Sequence, residues 1–342
     1  VSGPQRAVLL DGSKSLIRFG ERLNIRGSKK VRDAVENDSG INHDALEEVI
    51  REQIEDLGCE VVDVCMDSNT VDTVAVLQEV VHRQTYDFSG AMCLDSFQVD
   101  ALEEAIKAYP GRPIVNSISM EEASPGVLKI AAVLEATKAH APIYLALCTG
   151  PTGPAATADE KEALATQILE HARDRHGVPP SRIFVDVNVF PIGSEPVEGM
   201  NFALETLEGI RRVKARFPDT HTTLGVGNLT NGLAKKPYMR MLLTSVFLDE
   251  ARKRGLDAAI INPNHYVFVE DLEPEHYALG LRVVMERDMD AFALLEDIAG
   301  QRRGETAVRR TSYDDLPVEE AVVEKIKDGF KERTPGGVVC KG

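Results

Sequence analysis

The sequence predicts an α/β chain folded as a (β/α)8 TIM barrel with a short C-terminal helical extension. Short β-branched or apolar runs alternate eight times with longer amphipathic stretches. Alternating βα units force parallel strands joined by right-handed crossovers. Eight such units within about 275 residues suit a closed barrel better than an open doubly wound sheet. No internal repeat points to a solenoid or a propeller.

The strands are expected over 15–20, 60–65, 91–95, 113–117, 143–148, 183–189, 222–226 and 258–262, where runs such as EVVDVC, IYLALC and IFVDVNV are too short for helices and rich in Val and Ile. The stretches between them, 44–57, 71–83, 99–108, 127–140, 158–176, 202–217, 238–254 and 275–287, carry helical apolar periodicity. Past Gln301 the chain turns polar and aperiodic. One further amphipathic helix is expected over 318–330, with Val318, Ala321, Val322, Ile326 and Phe330 on its apolar side. The expected division is therefore a barrel over 1–300 and a linker with a docking helix over 301–342.

Composition narrows the function. The 342 residues are 43% hydrophobic and 27% charged, an ordinary globular mixture. Lys and Arg number 39 against 55 Asp and Glu, and the net charge of −16 repels phosphate backbones and anionic lipid. Neither nucleic acid nor a membrane is an expected partner. No apolar run reaches the ~20 residues of a membrane span, and the start of the chain lacks the apolar core of a signal peptide, so a cytoplasmic location is expected. Cys59, Cys65, Cys93, Cys148 and Cys340 form no CxxC pair and no Cys/His cluster. They read as reduced thiols, and no metal site is expected.

The polar residues at the C-terminal ends of the expected strands are Glu21 and Asn24, Asp63 and Asp67, Asp95, Asn116, Thr149, Asp186 and Asn188, Asn228, and Asn262 and Asn264. In a barrel all of them converge on the mouth where βα loops build active sites, although Asp and Asn also cap helices after such loops. Carboxylates and amides with little fixed positive charge suit a neutral ligand rich in N–H donors and carbonyl acceptors. Asp95 and Asp186, on opposite sides of the barrel, can each accept N–H bonds from an amidine-like edge, and Asn116 and Asn228 can both donate and accept. A pterin presents that edge, and a purine is not separated from it by residue types alone. The basic cluster Arg26, Lys29 and Lys30 after the first strand is expected to form a loop able to receive an anionic tail, such as folate's glutamates or a phosphate; as a surface charge run it needs no ligand.

Six segments, GERLNIRGSKK at 20–30, VVDVCMDSNTVD at 61–72, CLDS at 93–96, RPIVNSIS at 112–119, IFVDVNVFP at 183–191 and TTLGVGNLTNGL at 222–233, occur in order at strand ends. With them the chain resembles the pterin-binding methyltransferase barrels over residues 15–300. That family includes the folate domain of cobalamin-dependent methionine synthase and the methyltetrahydrofolate:corrinoid/iron–sulfur protein methyltransferase. The resemblance implies that Asp95, Asn116 and Asp186 hold the pyrimidine edge of a pterin and that Asn228 reaches its N5 region. Glu21, Asn24 and Asp63 match residues lining the same mouth. The family's DxN after the second strand is Asp63-Val64-Cys65 here, a thiol in place of an amide.

The implied reaction moves a methyl group between N5 of tetrahydrofolate and a cobalamin or other corrinoid carried by a partner protein. The methyl leaves N5 only if N5 gains positive character, so the barrel's task is orientation and hydrogen bonding, with Asn228 the catalytic candidate. His265 after the eighth strand is a residual candidate for an acid or corrinoid-facing group, and Cys148 at the mouth for a thiolate; local packing is the plainer expectation for both. A folate-domain fragment of a larger methionine synthase is the alternative to a separate methyltransferase, and the oligomeric state is open, a homodimer included. Dihydropteroate synthase is disfavoured because the seventh strand ends Gly225-Val226-Gly227-Asn228 with no basic residue for pyrophosphate. A folate-binding scaffold without catalysis is the remaining reading.

Overall fold

The computed structural model describes residues 1–302 apart from 38, 88, 89, 197 and 198; the helix expected over 318–330 lies outside the described residues. Eight parallel strands, β1 (Ile17–Asn24), β2 (Val61–Cys65), β3 (Ala91–Asp95), β4 (Ile114–Ile118), β5 (Ile143–Leu147), β6 (Ile183–Asp186), β7 (His221–Thr223) and β8 (Ala258–Ile261), pair in the order β7-β6-β5-β4-β3-β2-β1-β8. A bridge between Gly225 and Ile260, with Ile260 N donating to Leu224 O at 2.9 Å, all but closes the ring between β7 and β8. The expected barrel is the observed one.

Alternation along the strands makes two cores. Met92 and Leu94, Val62 and Val64, and Ile183 and Val185 face outward, against the helices. Ile17 and Phe19, Val61, Ala91 and Cys93, Ile114, Ile143 and Leu145, Phe184, and Ala258 and Ile260 fill the interior, joined by Val8 from the N-terminal segment. Phe19 and Phe184 meet edge to face at 5.7 Å, each burial worth roughly 1.5–3 kcal/mol. One more step of two residues along the inward row reaches Asp63 on β2, Asp95 on β3, Asn116 on β4 and Asp186 on β6, and a second step on β2 reaches Cys65, toward the barrel's C-terminal end.

The helices are α1 (Lys29–Val35), α2 (His43–Arg51), α3 (Thr73–Asp87), α4 (Val99–Ala108), α5 (Lys129–Thr137), α6 (Ala158–His176), α7 (Phe202–Arg216), α8 (Pro237–Lys253), α9 (Pro274–Glu286) and α10 (Met289–Gln301). Three departures from expectation have local causes. Strand β1 runs on to Asn24 across a bulge between Gly20 and Leu23. There the buried Gln53 side chain accepts from Arg22 N at 2.8 Å, and a Cβ on Gly20 would lie 2.5 Å from its Oε1. Strand β6 stops at Asp186 rather than 189 because Asn188 turns left-handed at φ 60°. Of the expected basic loop, Arg26 lies in a turn while Lys29 and Lys30 open α1, capped by Ser28. No described helix is long and apolar enough to cross a membrane.

Candidate active site

A cavity of about 250 Å³ opens at the C-terminal ends of the strands and is lined by Asp95, Asn116, Asp186 and Asn228, together with Lys129 and Phe97. Four residues from four different βα units thus meet in one space.

Asp186 closes β6, and both of its oxygens are held: Oδ1 accepts from Asn188 N at 2.8 Å and Oδ2 from Gly225 N at 3.0 Å. Each oxygen retains lone-pair capacity toward the cavity. Burial pushes this carboxyl up to about 6, against the pull of those two N–H groups and of Lys161. Lys161, fully buried on α6, donates to Ala155 O, Val187 O and Asn188 O at 2.9, 2.7 and 3.0 Å, fixing the strand exit that Asp186 depends on.

Asp95 ends β3 opposite. Burial raises its carboxyl above the ordinary range, while the Cys65 thiol donates to it and Lys129 favours its charge. The thiol that replaces an amide in the DxN pattern therefore faces a site carboxylate. The loop behind Asp95 is tied by Asp67, which accepts from Ser96 Oγ and Phe97 N, both at 2.7 Å. Asn116 Nδ2 donates to Asp63 Oδ1 at 3.4 Å. Asp63 is buried beneath the cavity, and burial together with the Asp95 charge holds it well above the usual carboxylate range.

Asn228 lies in a 3-10 segment, Val226–Leu233, immediately after β7. Asn231 Nδ2 donates to its Oδ1 at 3.2 Å, and that oxygen keeps a second lone pair. A Cβ on Gly225 would sit 3.8 Å from Asn228 Nδ2 and 3.9 Å from Asp186 Oδ2. Glycine here leaves the space between an N–H donor and a carboxylate open for a ligand.

Asn188 also lines the cavity, whereas Glu21, Asn24, Asp63, Arg26, Lys29 and Lys30 lie outside this lining. Asn24 Oδ1 accepts from Arg26 N and Gly27 N at 2.9 and 2.8 Å and so caps its own turn. Glu21 stands behind the β7 loop, its oxygens 3.3 Å from where a Cβ on Gly227 would be; burial raises it and Arg240 opposes the rise. Lys29 pairs with Asp33, Lys30 with Glu48 at 2.6 Å, and both border a separate surface groove of about 380 Å³. Arg26 is exposed. Burial and the nearby Arg240 and Arg22 push His265 down to about 4, so its imidazole is neutral at pH 7. Cys148 is buried and its thiol is pushed up to about 12. Among the described residues no cluster of His, Cys, Asp and Glu could hold a metal ion.

Lys129 corrects the expectation of little fixed positive charge at the mouth. Its position was legible: Lys129, Val133 and Thr137 share one helical stripe, and the latter two are buried. A lysine in an apolar stripe is read too easily as surface charge.

Residues 20–262 match the model of the pterin-binding enzyme family. The chain belongs to that family. The methionine synthase of Mycobacterium tuberculosis is 28% identical over 334 residues, covering 96% of this chain and 28% of that protein. The methionine synthase of Mycobacterium leprae is 26% identical over the same length, covering 96% and 27%. The chain thus spans between a quarter and a third of these relatives. Among solved structures, a Yersinia pestis dihydropteroate synthase with a sulfonamide drug superposes with a TM-score of 0.52 at 12% identity, covering 84% of this chain and 98% of that one. The Xanthomonas albilineans dihydropteroate synthase with 4-aminobenzoic acid gives 0.52 at 12%, covering 73% and 88%. At that identity the likeness shows the shared barrel fold.

Proposed function

We propose that this pterin-binding barrel holds tetrahydrofolate in the 250 Å³ cavity and catalyses methyl transfer between its N5 and a corrinoid presented by a partner protein or domain. The observation that carries the reading is the meeting of Asp95, Asn116, Asp186 and Asn228 around one cavity, two carboxylates facing two amides. The methionine synthase relatives favour methyl transfer over other pterin chemistry.

In this reading Asp186 accepts two N–H bonds from the aminopyrimidinone edge, Asp95 accepts from the far side of the ring, and Asn116 donates to a ring acceptor. Asn228 directs its side-chain amide at N5, where its Oδ1, which keeps a lone pair beside the bond from Asn231, accepts from protonated N5 and so stabilises the form in which N5 carries positive character. A bound corrinoid supplies the centre that takes or gives the methyl group. The cavity suits a bicyclic ring and not a corrin macrocycle, so the corrinoid belongs outside the mouth. The chain's own residues orient the pterin, shield its N5 and place the methyl in line with the opening.

The carboxylates make binding pH-dependent. In the free protein burial favours neutral Asp186, whereas ligand N–H groups need its anion. Affinity for tetrahydrofolate is expected to climb as the pH rises through about 6, the value to which burial raises Asp186, and to flatten above it. Over that interval the ligand-free protein loses the stability that the neutral acid contributes. Anaerobic calorimetric titration across this range checks the prediction; affinity that falls through the same interval contradicts a carboxylate acceptor at Asp186.

A further inference from the structure

One charge in the cavity is left unused by the pterin contacts assigned above. Lys129, the first residue of α5, is only 8% exposed, yet its ammonium makes one hydrogen bond, to Ser117 Oγ at 3.3 Å, and lies 5.6 Å from the centre of the Phe97 ring. It forms no ion pair among the described residues, although Asp95 on the same cavity wall attracts it. An ammonium carries three donors, and removing it from water without partners is costly. Elsewhere the fold satisfies a buried lysine: Lys161 finds three carbonyls.

The backbone aims Lys129 at this place. Lys129 N donates to Glu121 O at 2.7 Å and Ile130 N to Ser119 O at 3.0 Å, which ties the first turn of α5 to the exit of β4. An ammonium and a carboxylate therefore face one space without touching each other. The gap accepts a ligand edge that presents an acceptor beside a donor, the acceptor to Lys129 and the donor to Asp95.

We propose that Lys129 is a ligand-contacting specificity residue that donates a charge-assisted hydrogen bond to a ring acceptor adjacent to the N–H received by Asp95. The inference rests on the pterin reading of the cavity. A reduced pterin offers such a pair at N1 and N8–H. Phe97, 72% exposed at the rim, holds the ammonium in place from the solvent side. A ring protonated at that acceptor is repelled, so the site selects neutral heterocycles.

The test measures binding and stability together. Tetrahydrofolate and 6-methyltetrahydropterin, which shares the ring and lacks the tail, are titrated anaerobically into the wild type, Lys129→Met and Lys129→Arg, and Tm is recorded for each. Lys129→Met is expected to weaken both ligands by about tenfold or more, with Tm unchanged or raised because an under-bonded buried cation has been removed. Lys129→Arg is expected to recover part of the affinity. Unchanged affinity in Lys129→Met, with or without a fall in Tm, overturns the proposal. Weakening confined to tetrahydrofolate also overturns it, since the contact then lies on the tail. Should the wild type bind neither ligand, the pterin reading itself fails and this inference with it, a result told apart from the others by the wild-type titration.

Discussion

Asn228→Ala is expected to lower the methyl-transfer rate about 10²–10³-fold while leaving tetrahydrofolate affinity nearly unchanged. The effect falls on rate because the pterin ring is anchored elsewhere, by Asp186, Asp95 and Asn116, whereas the Asn228 amide oxygen faces the atom where positive charge develops. Removing one preorganised hydrogen-bonding partner from such a position costs ~2.7–4 kcal/mol in the transition state. The fold tolerates the change: Asn228 sits in a short 3-10 segment, and its Oδ1 receives one bond, from Asn231. Single-turnover kinetics with saturating folate, beside a calorimetric Kd, separates the two quantities. An undiminished rate removes Asn228 from the chemistry.

Asp186→Ala is expected to act on binding instead, weakening tetrahydrofolate about 10²-fold. The substitution withdraws the acceptor for two ligand N–H groups, each unpaired donor costing ~1–3 kcal/mol in a buried site. It also frees Asn188 N and Gly225 N, which Asp186 holds at 2.8 and 3.0 Å, so a loss of stability accompanies the loss of affinity. Asp186→Asn is the sharper variant, since an amide keeps one oxygen for the backbone but offers the ligand an N–H where it needs an acceptor. Equal affinity in Asp186→Asn and the wild type argues against an aminopyrimidinone at this edge.

The barrel was legible because its signal is repeated. Eight alternations of short apolar runs with helical stripes leave few other architectures, and the polar end of each inward row follows from the period of two along a strand. For that reason Asp95, Asn116 and Asp186 are legible from the strand pattern, and Asn228 from the segment that follows β7, and all four line one cavity. What escaped depends on contacts distant in sequence. The extension of β1 past Gly20 needs Gln53 from the helical turn after α2. The end of β6 needs Lys161 from α6 and a left-handed Asn188. Asn24 and Lys29 carry residue types that suit a ligand, yet Asn24 is spent on its own turn and Lys29 on Asp33. Lys129 escaped for another reason: it lies inside a helical stretch rather than at a strand end, and the stripe it shares with Val133 faces inward.

Methyl transfer involving N5 of tetrahydrofolate is tested directly by one spectroscopic measurement. The protein is mixed anaerobically with tetrahydrofolate and methylcobalamin, free in one series and protein-bound in the other, and the absorbance spectrum is followed. The account predicts enzyme-dependent loss of the methylcobalamin spectrum, matched mole for mole by 5-methyltetrahydrofolate. An unchanged spectrum in both series, from protein that binds tetrahydrofolate, contradicts it.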